Sequence, residues 1–495
     1  MRRLDSPQAV VQWLRDAGAR ALRTDSRKLQ AADAFIAWPG AAVDARRFVS
    51  QALAGGAVAA LVEHAGAQAF ALEDERVASY AGLKADAGLI AAAFYGEPSH
   101  ALPVVAVTGT NGKTSTAWWL AQALSAVPAP AALPCGVIGT LGVGRPPHVE
   151  STGLTTPDPV LLQQTLRQFL DQGLRACAME ASSIGIEEQR LAGTALRVAV
   201  FTNFTQDHLD YHGGMDAYWA AKRKLFAWPG LAYAVLNIDD LQGAALAEEL
   251  KEALDVWTVS SQGPARLLAR DVRHTGAGMA FEVVEGGASH TLHTHAIGQY
   301  NVSNLLGVIA AMRCLGVALD QAVAACSTLL PVPGRMECVG GQGAPLVAID
   351  YAHTPDALSQ ALQALRPVAQ ARGGQLWVVF GCGGDRDASK RPLMGAIAAR
   401  HADRVLVTSD NPRSERPEAI VAQILLGLVD DKGVEVEVDR ALAIRSAITE
   451  AAPQDVVLLA GKGHEQAQEL AGVKYPFSDH AHALAALEAR TGAPA

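Results

Sequence analysis

The chain contains no run of about 18 uncharged apolar residues, so no stretch is long enough to cross a bilayer as a helix. Its first residues, MRRLDSPQAVVQWL, carry two arginines but lack the apolar segment that would follow in a secretory or twin-arginine signal. Cysteine is scarce and scattered. The six (Cys135, Cys177, Cys314, Cys326, Cys338 and Cys382) include no C-x-x-C pair, which fits reduced thiols used as small core residues. Basic residues are outnumbered, with 41 Lys and Arg against 50 Asp and Glu, for a net charge of −9 and a pI near 5.9. This balance excludes a general nucleic-acid or anionic-membrane partner, so any phosphate must be held by local devices. A cytoplasmic protein is expected. The guanine-specifying N-K-x-D pattern is also missing, which argues against a nucleotide switch.

What is present is ordinary for a large soluble enzyme. At 495 residues, half hydrophobic and 18% charged, the chain is too long for one core and about three domains are expected. The divisions fall near 1–100, 101–331 and 332–495. Gly96-Glu97-Pro98-Ser99 reads as a linker and Pro331-Val332-Pro333-Gly334-Arg335 as the second boundary.

The most informative stretch is VVAVTGTNGKTSTAWWLAQAL. Val104 to Thr108 is a β-branched, apolar run of strand length, which Gly109-Thr110-Asn111-Gly112 then breaks. Lys113-Thr114-Ser115 opens a segment with Ala117, Leu120, Ala121 and Leu124 at helical spacing. Strand, glycine loop and helix start together form a phosphate cradle, with Lys113 placed for the terminal phosphates and the Thr114 hydroxyl for Mg²⁺. The pattern predicts nucleoside triphosphate binding.

Two later strands in the same block end in polar loops, Met179-Glu180-Ala181-Ser182-Ser183 and Thr202 to Asp210. Ligands of α/β sheets gather at the carboxyl ends of strands, so Glu180 and His208 are candidate Mg²⁺ positions. In Asp216 to Phe226, drawn as a helix, Tyr218, Ala221, Lys222 and Leu225 share one face. Lys222 therefore either snorkels its ammonium to water or is desolvated with a lowered pKa, open to chemical modification. GQYNVSNLLG sets two asparagines on a turn or helix start.

The last block alternates strands and helices, which implies a largely parallel sheet. Runs at Leu346–Ile349, Leu376–Phe380, Val405–Thr408 and Val456–Ala460 end in the loops DYAH, GCGGDRD, DNPR and GKGHE. Four such loops on one sheet edge describe a binding crevice.

These loops, with TDSR, TTPDP, MEASS, FTNFTQDHLDYHG and PGRME, resemble in kind and order the Mur ligase family, ATP-dependent amino-acid ligases of peptidoglycan stem-peptide synthesis. The likeness spans nearly the whole chain and is strongest to the branch that adds 2,6-diaminopimelate. It implies three α/β domains: a small mixed one for the UDP end of the substrate, a central P-loop ATPase-like one and a Rossmann-like C-terminal one for the amino acid. By resemblance, Ser26 contacts the UDP part, and Thr155, Thr156, Ser182 and Arg190 hold the muramoyl-dipeptide. Gly109 to Ser115 bind ATP, while Asn304, Arg335 and Asp350 match adenosine-side positions. Thr114, Glu180, His208 and Lys222 match the Mg²⁺ sites, Lys222 as N6-carboxylysine. Arg386, Asp410, Asn411, Arg413, Gly461 and Glu465 match the diaminopimelate pocket. The sequence departs from the family pattern in the substrate loop. Ile184 stands where many relatives have histidine, and Glu188 where glutamine is usual.

The resemblance further implies a monomer that joins meso-diaminopimelate to the D-glutamyl carboxylate of UDP-N-acetylmuramoyl-L-alanyl-D-glutamate through an acyl phosphate. An L-lysine-adding relative or a folylpolyglutamate synthetase shares the P-loop logic. The DNPR loop and the TDSR-bearing first block speak against both.

Overall fold

The computed structural model describes residues 1–40, 43–275, 278–428 and 433–491. Three sheets organise it. Five short parallel strands (Arg2–Leu4, Ala21–Arg23, Asp33–Ala37, Ala59–Glu63, Val77–Tyr80) form the first, in the order 1-5-4-3-2. The helix Leu83–Phe94 closes this unit and packs onto the next. A Cβ on Gly88 would lie 2.1 Å from the carbonyl oxygen of Ala192, so only glycine permits this approach. Gly96–Ser99, expected as a linker, leads into a short helix, Pro98–Ala101, with Ser99 buried and its hydroxyl accepting from the Ala195 amide at 2.9 Å.

The second sheet has eleven strands. At its centre Val104–Thr108 lies between Ala176–Glu180 and Val198–Phe201, all parallel. The five residues Val104–Thr108 are fully buried because helices cover both faces, which is why the strand reads as a continuous apolar run. The helix Lys113–Ala126 is buried on nearly every side, between the sheet and the helix Gln299–Cys314. Antiparallel strands extend the sheet at both edges, at Gly142–Glu150 and at Leu267–Thr294.

The third sheet runs Glu337–Gly340, Leu346–Asp350, Val456–Ala460, Leu376–Phe380, Arg404–Val407, Val434–Val436, and only its first pair is antiparallel. The largely parallel sheet expected from the sequence is therefore present. One detail differs: the last long strand is followed by a hairpin, Ala467–Leu470 with Val473–Pro476, before the helix Asp479–Thr491. Among the described residues no helix is long and apolar enough to cross a membrane.

Candidate active site

Sheet order brings the site together. Glu180 pairs in register with Val107 and Phe201 with Thr108, so the loops after three neighbouring strands open at one place. The phosphate loop depends on its glycines. Gly109 (φ +147°) has the Thr202 hydroxyl where a Cβ would sit, 1.9 Å away, and Gly112 (φ +83°) has the Asn304 amide oxygen at 2.4 Å. Thr202 and Asn203 hold the carbonyl of Asn111, with the Thr202 hydroxyl donating at 2.6 Å and the Asn203 amide at 3.1 Å. The loop is thus shaped before any phosphate arrives.

Lys113 donates to the carbonyls of Gly109 and Thr110 at 3.0 and 2.8 Å, which keeps its ammonium at the mouth of the loop. Burial lowers its pKa, partly offset by Glu180 and Asp207. The Thr114 hydroxyl donates to Glu180 Oε2 at 3.0 Å and accepts from Arg335 Nη2 at 3.0 Å. Glu180 also receives the amide of Thr140 at 2.7 Å and its hydroxyl at 3.2 Å. Thr140 was not foreseen from the sequence; the Gly-Thr step after the strand Cys135–Gly139 is its one local mark.

Lys222 is 1% exposed, in the helix Met215–Arg223. Its Nζ donates to the Gly109 carbonyl at 2.7 Å and lies 4.5 Å from the centre of the Tyr218 ring. Burial, then repulsion from Lys113, pushes its pKa well below the ordinary lysine value. Of the two readings of Lys222 the structure supports the desolvated one. His208, in a left-handed conformation (φ +52°), is held down to about 4 by burial despite Asp207 3.5 Å away. No group of three His, Cys, Asp or Glu side chains able to hold a metal ion occurs among the described residues.

Two cavities of about 430 and 440 Å³ meet here. The first is lined by Thr110 to Ser115, Thr155, Glu180, Ser182, His208, Asn304, Arg335 and Asp350. Arg335 reaches its phosphate-loop end through Thr114, while its guanidinium stacks 4.5 Å from the Tyr351 ring centre. Asp350 accepts from the Met336 amide at 2.6 Å and, chiefly through burial, has its pKa raised to about 6. Thr156 lines neither cavity but holds the adjoining loop, donating to the Glu180 carbonyl at 2.9 Å while Arg190 donates to its own carbonyl at 2.9 Å. Ser26 also lines neither cavity. It opens a short 3₁₀ turn capped by Asp25.

The second cavity is lined by all six residues matched to an amino-acid pocket: Arg386, Asp410, Asn411, Arg413, Gly461 and Glu465. Lys462, not foreseen as a site residue, is wholly buried and donates to Asn411 Oδ1 (3.0 Å) and Glu465 Oε2 (2.7 Å). It fixes two of the polar groups. Arg413 (φ +54°) donates to the Gly384 carbonyl at 2.7 Å. Asp207, His208, Tyr351 and His353 line both cavities. Asp207 and His353 were likewise not singled out from the sequence, because each acquires meaning only where two sheets face each other.

A phosphate loop on one parallel sheet, facing the polar loops of a second, defines a nucleotide-dependent enzyme with a second polar cavity beside the phosphate loop. Residues 107–312 match the Mur ligase middle domain and residues 334–463 the glutamate ligase domain of Mur ligases. The UDP-N-acetylmuramoyl-L-alanyl-D-glutamate–2,6-diaminopimelate ligase of Acidovorax sp. (strain JS42) is 60% identical over 493 residues, covering 99% of this chain and 98% of its own. The protein of the same name from Pseudomonas aeruginosa is 46% identical, covering 97% and 98%. A solved structure bearing that name shares 35% identity, covers 96% of this chain and 95% of its own, and superposes with a TM-score of 0.66. The MurF ligase of Thermotoga maritima, solved with ADP, shares the fold at 19% identity, with coverage of 96% and 99% and a TM-score of 0.68. The chain belongs to the Mur ligase family, ATP-dependent ligases that form amide bonds.

Proposed function

We propose that this ligase joins meso-diaminopimelate to the D-glutamyl γ-carboxylate of UDP-N-acetylmuramoyl-L-alanyl-D-glutamate, in the cytoplasmic stage of peptidoglycan synthesis. The observation that carries the reading is the meeting of the two cavities at Asp207, His208, Tyr351 and His353. One cavity offers a phosphate loop, the other an arginine, two carboxylates and an amide suited to a zwitterionic amino acid.

The chemistry follows from charge. A γ-phosphate and a carboxylate repel each other, and Lys113 with Arg335 supplies positive charge where they must meet. Phosphoryl transfer gives an acyl phosphate. The amine then attacks its carbonyl carbon, the C–O bond to phosphate breaks, and the ammonium proton leaves as the amide forms. Thr155, Thr156, Ser182 and Arg190 would hold the acceptor dipeptide beside Glu180, and the Ser26 turn its UDP end. The C-terminal unit faces the phosphate loop, with Asn111 Nδ2 donating to Asp356 Oδ2 at 3.1 Å, and is placed to shield an acyl phosphate from water.

The donors present fit Mg²⁺. Thr114 and Glu180 are hard oxygen ligands 3.0 Å apart, and both have lone pairs beyond those already engaged. Magnesium bound there would neutralise phosphate charge. A second position near His208, beside the Asp207 carboxylate, would gain two further oxygen donors if Lys222 were carbamylated. Burial lowers its pKa, and the neutral amine is the form that adds to CO₂, with loss of one proton, to give a carbamate. The protein is read as acting as a monomer.

The test is phosphate release from ATP with the UDP-muramoyl-dipeptide and a panel of amino acids. Release should require meso-diaminopimelate and yield the tripeptide product. Equal use of L-lysine would remove the diaminopimelate assignment.

A further inference from the structure

The Glu188 carboxylate joins two elements from different parts of the chain. Lys84 Nζ, on the helix Leu83–Phe94 of the N-terminal unit, donates to its Oε2 at 2.6 Å. The Tyr211 hydroxyl, on the short helix Leu209–His212, donates to its Oε1 at 2.6 Å. Tyr211 lines the second cavity; Lys84 and Glu188 line neither.

The backbone around Glu188 is held from several directions. It closes the helix Ser183–Glu187, its amide donating to the Ile184 carbonyl at 2.8 Å. Two residues on, Arg190 donates to the Thr156 carbonyl at 2.9 Å. Ahead of it, a Cβ on Gly185 would lie 2.7 Å from the Thr156 Cβ, so this turn sits flush on Thr156. Further on, Gly193 meets the Gly88 carbonyl, where a Cβ would come within 2.4 Å, so the N-terminal unit braces the whole segment. Glu188 is thus a fixed acceptor. Tyr211 is 43% exposed and its hydroxyl is placed by Glu188.

We infer that Glu188 is a positioning residue for the amino-acid substrate, setting the Tyr211 wall of the second cavity and coupling that wall, through Lys84, to the unit that would hold the UDP end. This rests on the second cavity being the amino-acid site. A glutamine could accept from Tyr211 but would not pair as an anion with Lys84, so the coupling to the N-terminal unit belongs to this chain's glutamate.

The test is steady-state ligation by the full-length enzyme, with KM measured separately for amino acid and ATP. Glu188→Ala and Tyr211→Phe should each raise the amino-acid KM about two- to fivefold, the scale of an exposed charged hydrogen bond, with the ATP KM and the melting temperature unchanged. Lys84→Met should produce part of that rise although it touches neither cavity. Lys84→Met/Tyr211→Phe should give less than the product of the single effects. Glu188→Gln should recover most of the loss. An unchanged amino-acid KM in Glu188→Ala and Tyr211→Phe overturns the inference, as does a matched rise in both KM values with a lowered melting temperature. Arg413→Ala separates the two readings. If it raises the amino-acid KM while Glu188→Ala does not, the positioning role alone fails. If neither does, the cavity assignment fails and this inference with it.

Discussion

Lys222 Nζ donates to the carbonyl of Gly109 at 2.7 Å, tying a buried helix lysine to the first residue of the phosphate loop. The contact places Lys222 beside Lys113, and burial, then repulsion between the two ammonium groups, lowers the Lys222 pKa. Lys222→Ala should lower ligation by about 10²-fold or more, with partial recovery in small carboxylates. In the wild type, ¹³C-labelled bicarbonate should give a carbamate resonance that Lys222→Ala lacks. Near-normal turnover in that variant would remove lysine from the site.

Glu180 accepts from Thr114 and twice from Thr140, all three as donors. Glu180→Gln offers an amide NH₂ to at least one of them and removes the charge. Ligation should fall by about 10²-fold or more, and the Mg²⁺ concentration for half-maximal rate should rise. Phosphate release titrated with MgCl₂ checks this. An unaltered Mg²⁺ dependence would refute the assigned role.

Lys113 presents its ammonium at the mouth of the phosphate loop. Lys113→Ala should cut phosphoryl transfer by about 10²-fold or more while amino-acid binding, followed by calorimetry, persists. Retained ATP-dependent ligation would move the nucleotide elsewhere.

Arg413 lies in the second cavity, donating to Gly384. Its planar fork can take the distal carboxylate that diaminopimelate has and lysine lacks. Arg413→Ala should raise the KM for diaminopimelate about 10- to 150-fold, as loss of a charge-assisted pair would, with the ATP KM little changed. Loss of discrimination against L-lysine would accompany it.

His464 has its pKa pushed down to about 3 by burial, with Arg335 and Lys462 adding, and its Nδ1 has no hydrogen-bond partner among the described residues. The unfolded chain binds a proton near pH 6.5 that the folded one refuses until far lower, so stability falls as pH drops below 6.5. His208, pushed down to about 4, acts in the same direction. Asp350, raised to about 6, acts oppositely: between about 6 and 3.8 the folded state binds the extra proton. His464→Asn should flatten the decline in melting temperature between pH 7 and 5. A decline parallel to the wild type would show that His464 is not a source of it.

The phosphate loop, the strand before it and the helix after it are legible in the chain's local order, because each depends on residues a few positions apart whose periodicity and glycine content dictate the backbone. The apolar stripe carrying Lys222 and the loops ending the C-terminal strands were legible for the same reason. Tertiary structure alone decided which of these meet. Lys222 and Gly109 are 113 positions apart, and Thr114 and Arg335 221. Their contact follows from strand order and from one sheet facing another. Thr140, Asp207, His353 and Lys462 did not stand out in the sequence as site residues; each acquires a role only through neighbours that strand pairing and sheet packing bring to it.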